Sequence, residues 1–471
     1  MSAENIPLNI IPPATIDRKR GKKPAIFIIF LFIAISIAFA TFYVKCYTLS
    51  MKKTAKNPEK YINVLIIGIA SIIRLWYVLY TDVGTRQHDL GYATLLSDGL
   101  VNPGHLGYIE YFAKFMRLPD FNPFSIFSYY HPPIHHIIAA FFVRMAYTLG
   151  FSEPVIFEAT QIPTFIYSII TLIIAYKTLK LLCIDERKII LPLALISFHP
   201  GLIYMTGSIG NDMMATMVLF LISYLTLLWI DGDYPAKYLF LISLSIGIGM
   251  LIKMNVVIIA CPVALIMLLR LINSLKSNTL IKCIKEYIIF ALISLPIGLL
   301  WSVRNYILFH IGPGISSADS SSIQYMGDFS LWQRLGWPER SMLSFPFHSE
   351  SAAFCHNIWQ ILFETSVFTE IWPADISPAM LLLCRLVYIL TIITALLCAI
   401  LSIIKPIIRI RRGSIAIGTF LLSAYLTILA TYILFVIKYP YTCSCDFRYI
   451  AIVLLFLAIS LLPVQSNDSS Q

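Results

Sequence analysis

Asp89, in the segment Arg86-Gln87-His88-Asp89-Leu90-Gly91-Tyr92, stands just beyond an apolar run at 61–80. A carboxylate partly buried at such an exit has its pKa raised and can take a proton from an alcohol or an amine. For an isolated Asp the plainer roles, helix cap or solvated loop charge, are commoner. Three cations occupy comparable places: Lys253 in Leu251-Ile252-Lys253-Met254-Asn255, Arg304 in Trp301-Ser302-Val303-Arg304-Asn305, and Arg448 in Asp446-Phe447-Arg448-Tyr449. Guanidinium forks and ammonium groups bind phosphate well, so three of them at one interface suit an anionic lipid headgroup. Each also has an ordinary explanation: Lys253 can snorkel, and Asp446 is an obvious mate for Arg448.

Around these stand polar residues able to orient a substrate: His88, Tyr92, His131, Asn211, Asp212, Asn305 and Tyr449. In Tyr129-Tyr130-His131-Pro132-Pro133-Ile134-His135-His136 the tandem prolines suit the first turn of a helix, which has no use for their missing N–H groups. His131 precedes that start and is placed to face a cavity, whereas His135 and His136 read as polar anchors at an interface. Asp231-Gly232-Asp233 has the form of a nucleotide-sugar motif but falls in a bare turn on the other side, and it is discounted.

The elements that must carry these residues are membrane helices. Of 471 residues, 58% are hydrophobic and 13% charged, with a mean hydropathy of +0.79, far from a soluble domain. Runs long enough to cross about 30 Å of hydrocarbon lie near 26–44, 61–80, 134–150, 161–182, 189–206, 213–230, 238–252, 254–269, 287–303, 379–404, 415–437 and 447–464. The expected fold is an all-α integral membrane bundle of about 11–13 transmembrane helices with extracytoplasmic loops.

The net charge of +10 follows the positive-inside pattern rather than a nucleic-acid surface. Lys45 to Lys60, Arg270 to Lys285 and Lys405 to Arg412 mark cytoplasmic segments. Counting from them divides the chain into a basic tail, an extra helix and a Lys-rich linker at 1–60, a transmembrane core at 61–303 with a first outside loop at 81–130, an outside loop or lid at 304–378, C-terminal helices at 379–464 and a polar tail at 465–471. Two features resist the count. The helix 26–44 has basic flanks on both sides, and the runs 134–150 and 161–182 lie where an odd number of crossings is required, so one is short or re-entrant. Of nine cysteines most sit in apolar runs as small hydrophobes, while Cys355, Cys443 and Cys445 fall outside, where a disulfide is an option.

The order of the motifs resembles the GT-C glycosyltransferases: His88-Asp89-x-x-Tyr92, His131-Pro-Pro-Ile, His199-Pro200 with Gly210-Asn211-Asp212, Leu-Ile-Lys253, Trp301-x-x-Arg304-Asn305 and Asp446-Phe-Arg448-Tyr449. Within that fold it is closest to the branch similar to protein O-mannosyltransferases and lipid A aminoarabinose transferases, over about residues 61–464. The resemblance implies a sugar donor on polyprenyl or dolichyl phosphate, a glycan, lipid or protein acceptor, Asp89 as base, and an active site on the outer side of a multi-pass membrane, with the composition pointing to a bacterial cell membrane. Lys253, Arg304 and Arg448 would then hold the donor phosphate. Many relatives carry an Asp-Glu pair where this chain has His88-Asp89-Leu90, which leaves the helper acid between Glu110 and Asp120. No cofactor is implied, and no outside carboxylate cluster asks for a divalent metal. A lipid-linked glycan transporter or polymer ligase would use the same cations without a base. The one-sided placement of the polar residues favours transfer over transport.

Overall fold

Inside a bilayer no water satisfies backbone N–H and C=O groups, so long apolar runs close their hydrogen bonds locally as helices. The computed structural model describes residues 58–81, 83–85, 102–276, 279–312, 320–337, 343–370, 373 and 375–464. The helix expected at 26–44, and with it the question of its crossing, lies outside the described residues. The helices follow in the order α1 (Pro58–Tyr80), α2 (Gly104–Phe115), α3 (Ile134–Thr148), α4 (Glu153–Glu158), α5 (Ile162–Leu182), α6 (Glu186–Ser197), α7 (Pro200–Tyr204), α8 (Asp212–Asp231), α9 (Ala236–Met250), α10 (Ala260–Ser274), α11 (Leu280–Phe309), α12 (Leu331–Leu335), α13 (Ile358–Phe368), α14 (Pro378–Arg411), α15 (Ile415–Lys438) and α16 (Val453–Leu461). Among the described residues the only β pairing outside helices is an isolated bridge between Tyr325 and Tyr441.

Among the described residues, seven stretches have the length and composition to cross a membrane: α1, α4 with α5, α8, 254–274, α11, α14 and α15. In the most apolar windows of α11 and α14 only 17% of residues are buried within the protein, and Leu292, Leu300, Leu390 and Ile400 lie exposed along them. Such faces are stable only against hydrocarbon. The run 189–206 breaks in two because Pro200, which cannot extend α6, starts α7 instead.

Two helix ends define the geometry. At one, Glu186 at the start of α6 accepts from Asn63 Nδ2 of α1 (2.9 Å) and pairs with Lys180 of α5 (2.6 Å). Further along, buried Arg74 of α1 donates to Ser168 Oγ of α5 (2.7 Å) and to the Ser197 carbonyl of α6 (2.7 Å). Hence α1 and α6 run parallel, and both finish at the end where α8 begins with Asp212.

The odd crossing resolves at α3. The Ile134 N–H donates to the Leu251 carbonyl (3.3 Å), and just past its C-terminus α4 brings Glu158 to accept from the Val83 N–H (3.2 Å), beyond the end of α1. Both ends of this 15-residue helix therefore stay at the Asp212 end of the bundle. A close contact between α9 and α11 depends on missing side chains, because a Cβ on Gly247 would stand 2.9 Å from Ile297 Cβ and one on Gly298 2.5 Å from Met250 Sδ. The segment between α11 and α14 is stitched to the bundle where Met326 N–H donates to Pro440 O (2.7 Å) and Thr442 N–H to Gln324 O (2.9 Å). α11 continues to Phe309, so Arg304 and Asn305 ride on its last turns instead of opening a loop at 304.

Candidate active site

Three chain reversals meet at this end. α8 starts at Asp212, α9 stops at Met250 and gives way to a turn holding Lys253, and the stretch after α15 returns through Asp446 to Tyr449. Asn211 ties the first two together by donating from Nδ2 to the Ile252 carbonyl (2.7 Å). That bond fixes Lys253 against the start of α8, where its Nζ forms a buried ion pair with Asp212 Oδ1. The ammonium also lies over the Tyr449 ring, 4.6 Å from its centroid, and the Arg448 guanidinium approaches the same ring at 5.3 Å. A cation over an aromatic face is stabilised most where water is excluded.

Asp446 caps the short turn that presents Arg448, accepting from the Arg448 N–H at 2.8 Å. Burial pushes its carboxyl above the usual range, with the Arg448 charge working the other way. His131 completes the group. Burial holds its imidazole well below its ordinary value, and the neighbouring His105, Lys253 and Arg448 push in the same direction. Five of the residues singled out in the sequence, His131, Asp212, Lys253, Arg448 and Tyr449, are thus drawn to one site, with Asn211 as its tie.

Arg304 is differently engaged. Its guanidinium packs on Trp301 (5.1 Å) and Phe309 (5.6 Å), gives one hydrogen bond to the Pro119 carbonyl and another to Asn305 Oδ1 (2.9 Å). Trp301 in turn donates to the Tyr130 carbonyl (3.1 Å), so this pair clamps the approach to the His-Pro-Pro turn. His88, Asp89 and Tyr92 lie outside the described residues. Of the two helper acids, Glu110 is the protected one: it accepts from Asn102 Nδ2 (3.0 Å), and burial raises its pKa. Asp120 is spent on an exposed pair with Arg117 (3.1 Å).

The motif order missed a histidine cluster. His105 of α2 meets His136 of α3 through Nδ1 and Nε2 (2.8 Å) and stacks on His131 at 5.1 Å. His135, expected to be an interface anchor, is instead buried and hydrogen-bonded to the Ile209 carbonyl (2.8 Å). His136 is likewise buried rather than at an interface. Buried polar groups of this kind need partners, and the Nε2 atom of each ring finds one on a neighbouring element. A second unanticipated group is buried Glu364 of α13, which accepts from Gln360 (2.8 Å) and has His348 Nδ1 3.9 Å away. Cys355, Cys443 and Cys445 are not joined in a disulfide. Among the described residues no group of His, Cys, Asp or Glu is placed to hold a metal ion.

Residues 130–301 match the family described as dolichyl-phosphate-mannose-protein mannosyltransferase. The match bears out the resemblance carried by the motif order and spans His131, Asn211, Asp212 and Lys253, stopping short of Arg304 and Arg448. Two solved structures are similar in part. One is ArnT from Cupriavidus metallidurans in the apo state, at 13% identity, with 85% of this chain and 76% of that one covered and a TM-score of 0.34. The other is the same protein bound to undecaprenyl phosphate, at 15% identity, covering 86% and 77%, also with a TM-score of 0.34. No curated protein matches.

Proposed function

We propose that this membrane glycosyltransferase of the GT-C type moves a sugar from a polyprenyl or dolichyl phosphate to an acceptor hydroxyl or amine, at the end of the bundle where α8 begins. The observation that carries the reading is the buried Asp212–Lys253 pair under Tyr449, with Arg448 and His131 beside it. The family matched by the segment is named for a sugar on a lipid phosphate, and a leaving phosphate is the group that such cations stabilise. Lys253 uses one of three N–H donors on Asp212, which fixes the ammonium and leaves donors for a phosphate oxygen.

In the step proposed, Asp89 takes the proton of the acceptor, the acceptor oxygen or nitrogen forms the new bond to the anomeric carbon from the opposite face, and the bond from that carbon to the lipid phosphate oxygen breaks. The phosphate leaves with the electron pair, facing Lys253 and Arg448, and the anomeric centre inverts. Arg304 acts from the side by holding the Tyr130–His131 turn through Trp301. Glu110 is the helper acid in this scheme because it is the more buried of the two candidates. In this reading the site faces away from the cytoplasm, supported by the Lys- and Arg-rich segments at the other end.

The test is transfer of radiolabelled sugar from undecaprenyl- and dolichyl-phosphate donors by the purified chain in lipid nanodiscs, measured beside release of free lipid phosphate. Label appearing in an acceptor with stoichiometric lipid phosphate supports transfer. Movement of intact lipid-linked glycan across the bilayer with no bond cleavage would overturn it in favour of a transporter. Sidedness is read independently from a cysteine placed at Asn102, which should react with an impermeant thiol reagent added from outside.

A further inference from the structure

The opposite end of the bundle holds two cations for which the transfer reaction has no use. Lys405 and Arg409 lie one helical turn apart on α14, where like charges repel. Arg409 is buried, and Lys405 is half-buried. Among the described residues neither forms an ion pair with a carboxylate. Their hydrogen bonds run to carbonyls just beyond α16: Lys405 Nζ donates to Leu462 O (2.8 Å) and Arg409 Nη2 to Pro463 O (3.3 Å). Ser402 and Ser460 lie buried beside them, and the four side chains line a cavity of about 10 Å³ together with Phe456.

Magnitudes decide whether this is simply a helix cap. The carbonyl end of a helix is equivalent to about half a negative charge, set here against two full positive ones. Because Arg409 also lies in the last turn of α14, two such ends face the pair, and among the described residues a surplus of roughly one charge remains, next to a buried guanidinium that is costly to leave uncompensated. Lysine and arginine carry three and five N–H donors, so the carbonyls leave most of them unspent. The cavity has room for about one water-sized atom, which is the size of a single phosphoryl oxygen and too small for a whole phosphate.

We propose that Lys405 and Arg409 form a phosphate-binding site that takes one phosphoryl oxygen of an anionic phospholipid headgroup, whose remainder lies in the headgroup layer at that end of the bundle. The position of the cavity where α14 leaves the bilayer favours a lipid over free phosphate.

Native mass spectrometry of the full chain, released from nanodiscs containing equal phosphatidylglycerol and phosphatidylcholine, tests this, with thermal unfolding in detergent as a second readout. Phosphatidylglycerol should be retained preferentially and raise the melting temperature, and inorganic phosphate at the same concentration should do neither. Lys405→Gln and Arg409→Gln should each reduce the preference about tenfold, the loss of one charge-assisted contact. Arg411→Gln, which removes an exposed cation of the same helix, should leave it intact. Lys405→Gln, at the half-buried position, keeps the test open if Arg409→Gln fails to fold. Equal retention of both lipids, or a preference unchanged in Lys405→Gln, would overturn the site. A shift from inorganic phosphate as large as that from phosphatidylglycerol would overturn the lipid assignment.

Discussion

Glu186 and Asp212 are both buried carboxylates at the first residue of a helix, each paired with a lysine, and they sit at opposite ends of the bundle. Glu186 is saturated: Asn63 (2.9 Å), Tyr176 (3.2 Å) and Lys180 (2.6 Å) all reach it, and its own carbonyl accepts again from Asn63 (3.0 Å). Asp212 has Lys253 as its side-chain partner among the described residues, and that lysine is shared with the face of Tyr449. A carboxylate whose lone pairs are all taken can only hold helices together. One that positions a single cation, beside a histidine kept neutral and a second cation on the same ring, has its charge directed at whatever enters.

The largest effect is expected at Asp89, the base in the proposed step. Asp89→Asn keeps size and hydrogen-bonding capacity but cannot accept a proton, so turnover with lipid-linked sugar should fall about 10²–10⁴-fold while donor binding persists. Turnover at the wild-type level would remove Asp89 from the chemistry. Binding and turnover lost together would make it a ligand-holding residue, as a transporter requires.

The two carboxylates should next separate in opposite senses. Glu186→Gln removes the charge that Lys180 pairs with, and because that lysine side chain is 38% exposed stability should fall by about 1–2 kcal/mol, the scale of a weakened charge-assisted hydrogen bond, while activity per folded molecule stays within about twofold. Asp212→Asn preserves shape but releases the ammonium it fixes, and it should cost about 10–100-fold in transfer through a misplaced cation. Thermal unfolding and initial rates on the same preparations decide. Equal loss of activity in both variants would erase the distinction between a structural end and a working end.

Lys253→Ala and Arg304→Ala sharpen the working end itself. If Lys253 holds the donor phosphate, its removal should weaken donor affinity by about 1.5–3 kcal/mol. Arg304, clasped by Trp301, Phe309 and the Pro119 carbonyl, should show the smaller change in affinity and the larger in stability. An Arg304→Ala variant with the greater loss of donor binding would reverse their roles.

These contrasts also explain what the sequence disclosed. Asp212, Lys253 and Arg448 stand out because each interrupts or flanks an apolar run, where an ionised side chain is costly and so is seldom placed without purpose. The all-helical fold was legible for the same reason, from run length and flanking charge. The pairings were not. Glu186 and Asn63 are separated by 123 residues, and His105 and His136 by 31, distances at which no periodicity links them. Nor does a motif tell which way a side chain turns: Arg304 reads like Lys253 in sequence, yet it folds onto the Trp301 and Phe309 rings.

The smallest effect concerns pH and belongs to the end where α8 begins. His131 sits in a crowded site, stacked on His105 and close to Lys253, Arg448 and His135, and its folded pKa lies well below the ordinary 6.5. A group depressed on folding binds its proton more readily when the chain is unfolded, so between the two pKa values acid favours unfolding. Its contribution is fully present above about pH 6.5 and is lost progressively as pH falls. Melting temperature in detergent should therefore drop between about pH 7 and pH 5, where histidines titrate. His131→Gln, unable to take up the proton, should flatten that slope. If the slope is the same in wild type and His131→Gln, the acid sensitivity belongs to other groups and the site tolerates a charged imidazole.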